Sequence, residues 1–467
     1  MRRIVIVGGG VSGLALAYRL QERLPDAHIA VLEAAAAVGG KVATTARAGF
    51  RVEAGPNGFL DTKPATLGLC RELGLGPQLL PASEAAARNR YLFLGGRLRR
   101  LPSGLLSFLT SRTLSWRAKY RVLTERFRAP RTDGADETVD AFARRRVGDE
   151  VADNLVDALV TGIYAGDPKL LSLAAAFPRL AAFEREHGSL LRGMTAAARA
   201  RRAEAAAQGK PYERGGKMWS LADGLGTLVS ALRDRLRTPP VGGVAVRRVQ
   251  RLGPGWRVCA EGADHWDADA VVLACPAYEQ AAVLADLDAE LAERVGGIAY
   301  NRVAVVALGY RAADVPVSLD GFGYLSPQRE RRDVLGVQWC SSIFPGRRAP
   351  EGMVLLRAMC GGWHRGEVVG WDDDRLLRAV RDELAAALGV RAAPAFHEIV
   401  RWRQAIPQYH VGHGERVAWV EARAAAHHPG LYLAGNAYRG VALNDCVEQA
   451  GLLAERVALD LSSAVRA

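Results

Sequence analysis

A chain of 467 residues is too long for one simple core, so two or three domains are expected. With 49% hydrophobic and 24% charged residues, its composition is globular, neither disordered nor fibrous. The net charge of +12 favours acidic partners, but the arginines are spread over helical stretches with no basic tail and no zinc-finger spacing, so nucleic acid is not expected.

The N-terminus reads as a β-α-β unit: strand 3–7, helix 12–24 and strand 28–33, with a break at Pro25-Asp26. Between strand and helix stand Gly8, Gly9, Gly10, Val11, Ser12 and Gly13, and Glu33 closes the second strand. This is the dinucleotide-binding fingerprint. Gly8 allows the tight turn, Gly10 lets the backbone approach a pyrophosphate, and Gly13 lets the helix pack on the strand. Glu33 is placed to accept hydrogen bonds from the adenosine ribose.

A second pair, Gly39-Gly40, follows with Lys41, then the turn-rich Gly55-Pro56-Asn57-Gly58 and a helix over 63–74. A nicotinamide unit needs no second glycine pair, whereas flavin proteins use one to pass the pyrophosphate again. Residues 90–101 read as a hairpin through Gly95-Gly96. From Leu105 to about Ala207 the pattern is helical, ending in an Ala/Arg/Glu-rich stretch expected to be an exposed helix end or a connection. Leu105, Leu106, Phe108, Leu109 and Trp116, flanked by Arg112, Arg117 and Lys119, suit an interfacial helix on an anionic bilayer as well as a buried one.

After Gly215-Gly216 the pattern predicts helix 220–237, then strands at 244–246, 256–260 and 270–273. Strands follow at 303–308, 324–325, 334–339 and 354–359, then helix 373–388, strand 431–434 and a last helix capped by Asn444-Asp445. Dinucleotide-type strands thus fall at the start, middle and end, which predicts one cofactor domain built from separated segments. Gly435-Asn436 and Val441-Ala442-Leu443 lie where a helix N-terminus faces the electron-rich end of a flavin. Six cysteines form no CxxC pair and are expected to be reduced, which suits a cytoplasmic chain. With strand 3–7 so early, no leader is expected, and no run of about 18 apolar residues exists to span a bilayer.

These segments are similar to the protoporphyrinogen oxidase family, within the larger group of flavin amine oxidases and phytoene desaturases. The resemblance rests on Gly8–Gly13, Glu33, Gly39-Gly40, Gly55-Pro56-Asn57 and residues 433–446. Further matches are Gly162–Pro168, His187–Leu190, Gly321–Leu325, Ser341–Pro345 and Ile406–Tyr409, in family order along almost the whole chain.

The resemblance implies an α/β fold: a discontinuous Rossmann-like FAD-binding domain (1–75, 214–278 and 415–467), an α+β substrate domain (76–100 and 279–414), and a helical membrane-facing domain (101–213). For FAD it implies Gly8, Gly9, Gly10, Val11, Ser12 and Gly13 at the pyrophosphate, and Glu33 at the ribose. Gly40, Lys41, Gly55, Pro56 and Asn57 would line the flavin, Val246 the adenine side, and Asn436, Val441, Ala442 and Leu443 would cover the ring. Arg90 would pair with a substrate propionate, since a guanidinium binds carboxylate in a bidentate fork. Leu325 and Phe344 would clamp a tetrapyrrole and Gly166 would lie beside it.

The implied reaction is oxidation of protoporphyrinogen IX in three two-electron steps. Each passes a meso hydride to the flavin, with O₂ as acceptor and H₂O₂ released. No side chain is singled out as a catalytic base and no metal is expected. Coproporphyrinogen III, an amine or carotenoid substrate, or a non-enzymatic binder like the GDP-dissociation inhibitors stay open as alternatives. Asn444-Asp445-Cys446 resembles the protoporphyrinogen branch. Expected partners are an anionic membrane surface, contacted peripherally from the cytoplasm, a ferrochelatase by pathway order, and a second copy in a homodimer.

Overall fold

The computed structural model describes every residue except 103, 208, 210–215 and 464–467, and also leaves out the Leu105 side chain. Gly215 of the expected turn, the 213/214 domain boundary and the Leu105 side chain therefore lie outside the described residues.

The fold is mixed α/β. Ile4–Val7 and Ile29–Leu32 are buried throughout, as continuous apolar runs inside a parallel sheet must be. That sheet runs Leu431–Leu433, Ala270–Leu273, Arg3–Val7, His28–Leu32, with every pair parallel. Segments from the start, the middle and the end of the chain thus share one sheet. The first helix, Val11–Arg23, packs beside the last, Leu443–Ser463, through Leu14, Leu16, Val447, Ala450 and Ala454.

Two expectations in the middle segment are corrected. Residues 218–221 form a strand between Phe59–Leu60 and Leu79–Pro81, and only Gly226–Arg235 is helical. Pairing with two distant strands outweighs the local helical pattern. The strand expected at 244–246 instead runs Val246–Leu252 and joins Gly255–Ala260 and His265–Ala268 in a separate antiparallel sheet. Of these, only Ala270–Leu273 enters the parallel sheet.

A seven-stranded sheet runs Phe396–Trp402, Arg302–Arg311, Met353–Gly362, Val334–Trp339, Gly323–Leu325, Tyr91–Leu94, Arg97–Arg100. The predicted hairpin forms its edge. Its two faces differ. Phe93, Tyr324, Val337, Leu356, Ala358, Val306 and Leu308 pack on Leu376, Val380, Leu384 and Leu388 of the helix Asp373–Leu388. The register puts Leu92, Leu325, Gly336, Met359 and Val305 in one row on the other face.

Between the hairpin and 207 the described elements are all helices, joined by loops such as 128–138, in keeping with the helical pattern. Their centre is polar. Glu125 and Arg146 are fully buried as a pair. Glu125 also accepts from Ser189 Oγ (2.7 Å) and from the N–H groups of Leu190 (3.0 Å) and Leu191 (3.2 Å). Burial pushes the Glu125 carboxyl up, but these bonds and Arg146 together hold it below the usual range. The carboxylate caps the helix Leu190–Ala207, which accounts for Ser189-Leu190 in the motif singled out above.

Candidate functional site

The first glycine turn is held by main-chain bonds, Gly8 N to Leu32 O (2.7 Å) and Gly39 N to Gly9 O (2.8 Å). Gly8 stands at φ +114, a conformation L side chains rarely adopt. A Cβ on Gly13 would fall 2.0 Å from Gly8 O, so only glycine lets the helix sit this close. A Cβ on Gly40 would meet Gly10 Cα at 3.3 Å, and Gly10 and Gly39 form a parallel bridge. The two glycine pairs therefore make one cradle. A Cβ on Gly10 would meet nothing within 4 Å. That open space lies before the N-terminus carrying Val11 and Ser12, whose first N–H groups have no intrahelical acceptor.

Glu33 closes the cradle, accepting from Gly9 N (2.8 Å) and Ala35 N (2.9 Å). Each carboxylate oxygen keeps a lone pair for a further donor. Val244 N donates to Glu33 O (2.8 Å), which brings Val246 to the same end of the sheet.

The loop Gly55-Pro56-Asn57 lies on the cradle's other side. A Cβ on Gly55 would fall 2.0 Å from Lys41 O. Asn57 is buried, yet neither its Nδ2 nor its Oδ1 has a partner. An unpaired buried carboxamide is costly, and a polar ligand at this loop would satisfy it. The Lys41 amine donates to Ala405 O (2.5 Å) and lies 5.2 Å from the centre of the Tyr300 ring. Burial lowers it to about 8.

Asn436 follows Gly435, and its carbonyl accepts from the Tyr409 hydroxyl. Tyr409 stacks on His413 at 4.2 Å. Val441 packs against the cluster that holds Tyr164 and Tyr409, Ala442 is exposed, and Leu443 is buried in the first helix's cluster. Asn444 is not the cap of its own helix. Its side chain reaches Leu60 O and Thr66 N, so it caps the helix Ala65–Glu72, while Asp445 accepts from Ala442 N (3.1 Å). Burial pushes the Cys446 thiol, beside Ser12, up to about 11.

The loop 54–57 is bolted to the second face of the seven-stranded sheet. Trp402 Nε1 donates to Ala54 O (2.8 Å), and Arg357 donates to Glu53 O (3.0 Å) and to Gly55 O. Leu325 stands on this face, under the helix Asp157–Tyr164: a Cβ on Gly162 would be 2.9 Å from Leu325 Cδ1. Leu159 and Ile163 of that helix are exposed. Arg90 lies at the edge, its guanidinium 5.1 Å from the Phe322 ring centre, with no carboxylate in ion-pair range among the described residues. Gly166 is buried where a Cβ would meet Gln408 Oε1 at 2.2 Å, so it fixes the helix end and presents no open face.

Phe344 departs from expectation. It is 0% exposed, packed with Ala82, Ala86 and Ile343 under the Arg348 guanidinium (4.7 Å). Nothing can clamp against a ring with no free surface. Met359 and Trp402, missed in the sequence, stand on the face where Leu325 stands.

A parallel sheet with a doubled glycine cradle, facing an antiparallel floor, is the architecture of a dinucleotide-binding protein. The family model for flavin containing amine oxidoreductases matches residues 11–458. Protoporphyrinogen oxidase of Homo sapiens is 35% identical over 474 residues, 96% of each chain. Coproporphyrinogen III oxidase of Bacillus subtilis (strain 168) is 29% identical over 461 residues, also 96% of each. A solved structure of a candidate protoporphyrinogen oxidase from Exiguobacterium sp. 255-15 superposes with a TM-score of 0.83 at 28% identity, covering 98% of this chain and 99% of that one. The chain belongs to the flavin-containing amine oxidoreductase family, with relatives named protoporphyrinogen and coproporphyrinogen III oxidases, and is an FAD-dependent oxidase. The open space at Gly10 and the unpaired Asn57 carboxamide fit that cofactor.

Proposed function

We propose that this oxidase converts protoporphyrinogen IX to protoporphyrin IX with O₂ as acceptor. The observation that carries the reading is an apolar floor, Leu325 and Met359, with an unpaired Arg90 guanidinium at its rim. A flat macrocycle with propionates needs both. Bound FAD supplies the hydride acceptor. Gly8 to Gly13 hold its pyrophosphate and Glu33 its ribose, with Val246 towards the adenine. Gly40, Lys41 and Gly55 to Asn57 line the flavin, and Asn436 and Val441 to Leu443 cover it. Arg90 anchors a propionate and so sets which meso carbon meets the flavin.

The domain division stated for the sequence is part of this proposal. So is peripheral attachment to an anionic membrane through residues 101–213, since no helix among the described residues is long and apolar enough to cross a bilayer. A homodimer and transfer of product to a ferrochelatase belong to the same reading.

The test compares rates on protoporphyrinogen IX and coproporphyrinogen III, followed by porphyrin fluorescence on FAD-loaded protein. Faster turnover of the dipropionate supports the proposal. Preference for the tetrapropionate assigns the chain to the coproporphyrinogen reaction, and no fluorescence with either overturns the tetrapyrrole reading.

A further inference from the structure

The substrate-side face of the seven-stranded sheet carries one polar side chain whose hydrogen-bonding capacity is half used. Arg357 Nη1 donates to Gln338 Oε1 at 2.9 Å. A guanidinium has only donors, so the amide atom facing it is the carbonyl oxygen, and the NH₂ group is turned away. Arg357 cannot turn to release it, because its other nitrogens are spent on Glu53 O and Gly55 O and the residue is buried.

Among the described residues Gln338 Nε2 has no hydrogen-bond partner, and Gln338 is only partly buried. In register it faces Gly323 on one side, which has no side chain to cover it, and Arg357 on the other. The neighbouring row is Leu325, Gly336, Met359. A fixed N–H donor thus projects from an apolar floor next to the loop 54–57.

We infer that Gln338 is a catalytic residue, donating from Nε2 to the tetrapyrrole nitrogen that gives up its proton, with Arg357 as its positioning residue. The inference rests on the porphyrinogen reading above. In each oxidation a meso C–H bond breaks and its hydride passes, with both electrons, to FAD. The adjoining pyrrole N–H breaks and its proton goes to solvent, leaving a new double bond to a nitrogen with a free lone pair. The substrate loses two hydrogens and two electrons in each step; over the three steps three meso hydrogens and three N–H protons leave, and a tautomeric shift of the remaining extra meso proton to a ring nitrogen completes the porphyrin, so that four meso hydrogens and two N–H protons are lost in all. That nitrogen changes from donor to acceptor. Facing Gln338, it has no bond while the N–H is intact and gains one as the proton leaves, an interaction made only on the way to product.

A purely structural Gln338 would need only its Oε1, to satisfy Arg357. The variants Q338L and Q338E separate the two roles, because Q338E keeps an acceptor for Arg357 and loses the donor. FAD-loaded wild type and both variants are assayed with protoporphyrinogen IX, and protoporphyrin IX binding is read from quenching of protein fluorescence. Both variants are expected to lose about 10- to 100-fold in kcat with KM within about threefold, and to bind product about tenfold more weakly, with FAD content unchanged. Q338E matching wild type in kcat and product affinity overturns the inference while the porphyrinogen reading stands. A wild type that oxidises no porphyrinogen overturns both.

Discussion

Lys41 is a partly buried amine whose hydrogen-bond acceptor is a backbone carbonyl. Burial lowers it to about 8, so it is charged below that pH and neutral above it. If it supports the anionic cofactor, FAD affinity is high at pH 7 and falls as pH rises through 8. K41M is expected to bind FAD about tenfold more weakly at pH 7 and to lose this dependence, read by titrating apo-protein with FAD at pH 7 and 9. A wild-type affinity flat across that range would separate Lys41 from the cofactor. His413 works in the opposite direction. Burial against Tyr409 lowers it from 6.5 to about 4, although the bond to Tyr438 O pulls the other way. The unfolded chain takes up its proton first, so the stability from a neutral His413 is full above pH 6.5 and is lost as pH falls towards 4, by roughly 3 kcal/mol at most. Denaturant midpoints should drop less over that interval in H413Q than in wild type. Neither environment was legible in the sequence, because burial is set by segments from elsewhere in the chain. Arg357 was closer to legible: an arginine inside the apolar run Val354–Cys360 asks for buried acceptors, and the 53–55 backbone supplies them.

Among the elements, the helix Trp116–Leu123 exposes its apolar side chains. Trp116 is 71% exposed, Tyr120 70% and, just beyond, Phe127 70%; Arg117 is exposed beside Trp116 and Arg126 lies over the Phe127 ring, whereas Lys119 is buried with its amine donating to Leu109 O and Ser111 O. Leu106, from the neighbouring short helix, is also exposed. Large aromatic side chains with basic neighbours suit the headgroup layer of an anionic bilayer. The double variant W116A/F127A is expected to lose most co-sedimentation with phosphatidylserine-containing vesicles while retaining FAD. Unchanged sedimentation would remove this surface from the proposed attachment. The sequence named Leu106 and Trp116 but left buried and interfacial readings equal, since a short helix rich in both arginine and aromatics satisfies either pattern. Strand alternation was clearer, and the hairpin and most of the seven-stranded sheet were legible from it. The strand Met218–Leu221 was not, because its partners lie far away in the chain.

Over the whole molecule, the interrupted Rossmann-like architecture was legible because each parallel strand is a short apolar run, and those at 3–7 and 431–433 end near glycine. The role of Phe344 was not, since a motif match carries no information about which way a ring packs. The last helix ties the helix Val11–Arg23, against which it packs, to the segment 63–72: Asn444 caps Ala65–Glu72, and Lys63 bridges Asp445 (2.7 Å) and Glu448 (2.6 Å). A chain ending at Ala442 is expected to purify without FAD, measured by flavin absorbance per protein; FAD retention there would show the helix to be dispensable. This joint has a consequence for biosynthesis. Chains emerge from the ribosome N-terminus first, at about 5–20 residues per second. The strand Arg3–Val7 therefore waits on the order of tens of seconds before Leu431–Leu433 and Asn444 exist to complete its sheet and clamp. On this reading cofactor loading waits for the strand Leu431–Leu433 and the helix after it to be synthesised, and the nascent glycine turn must stay guarded from misfolding until then.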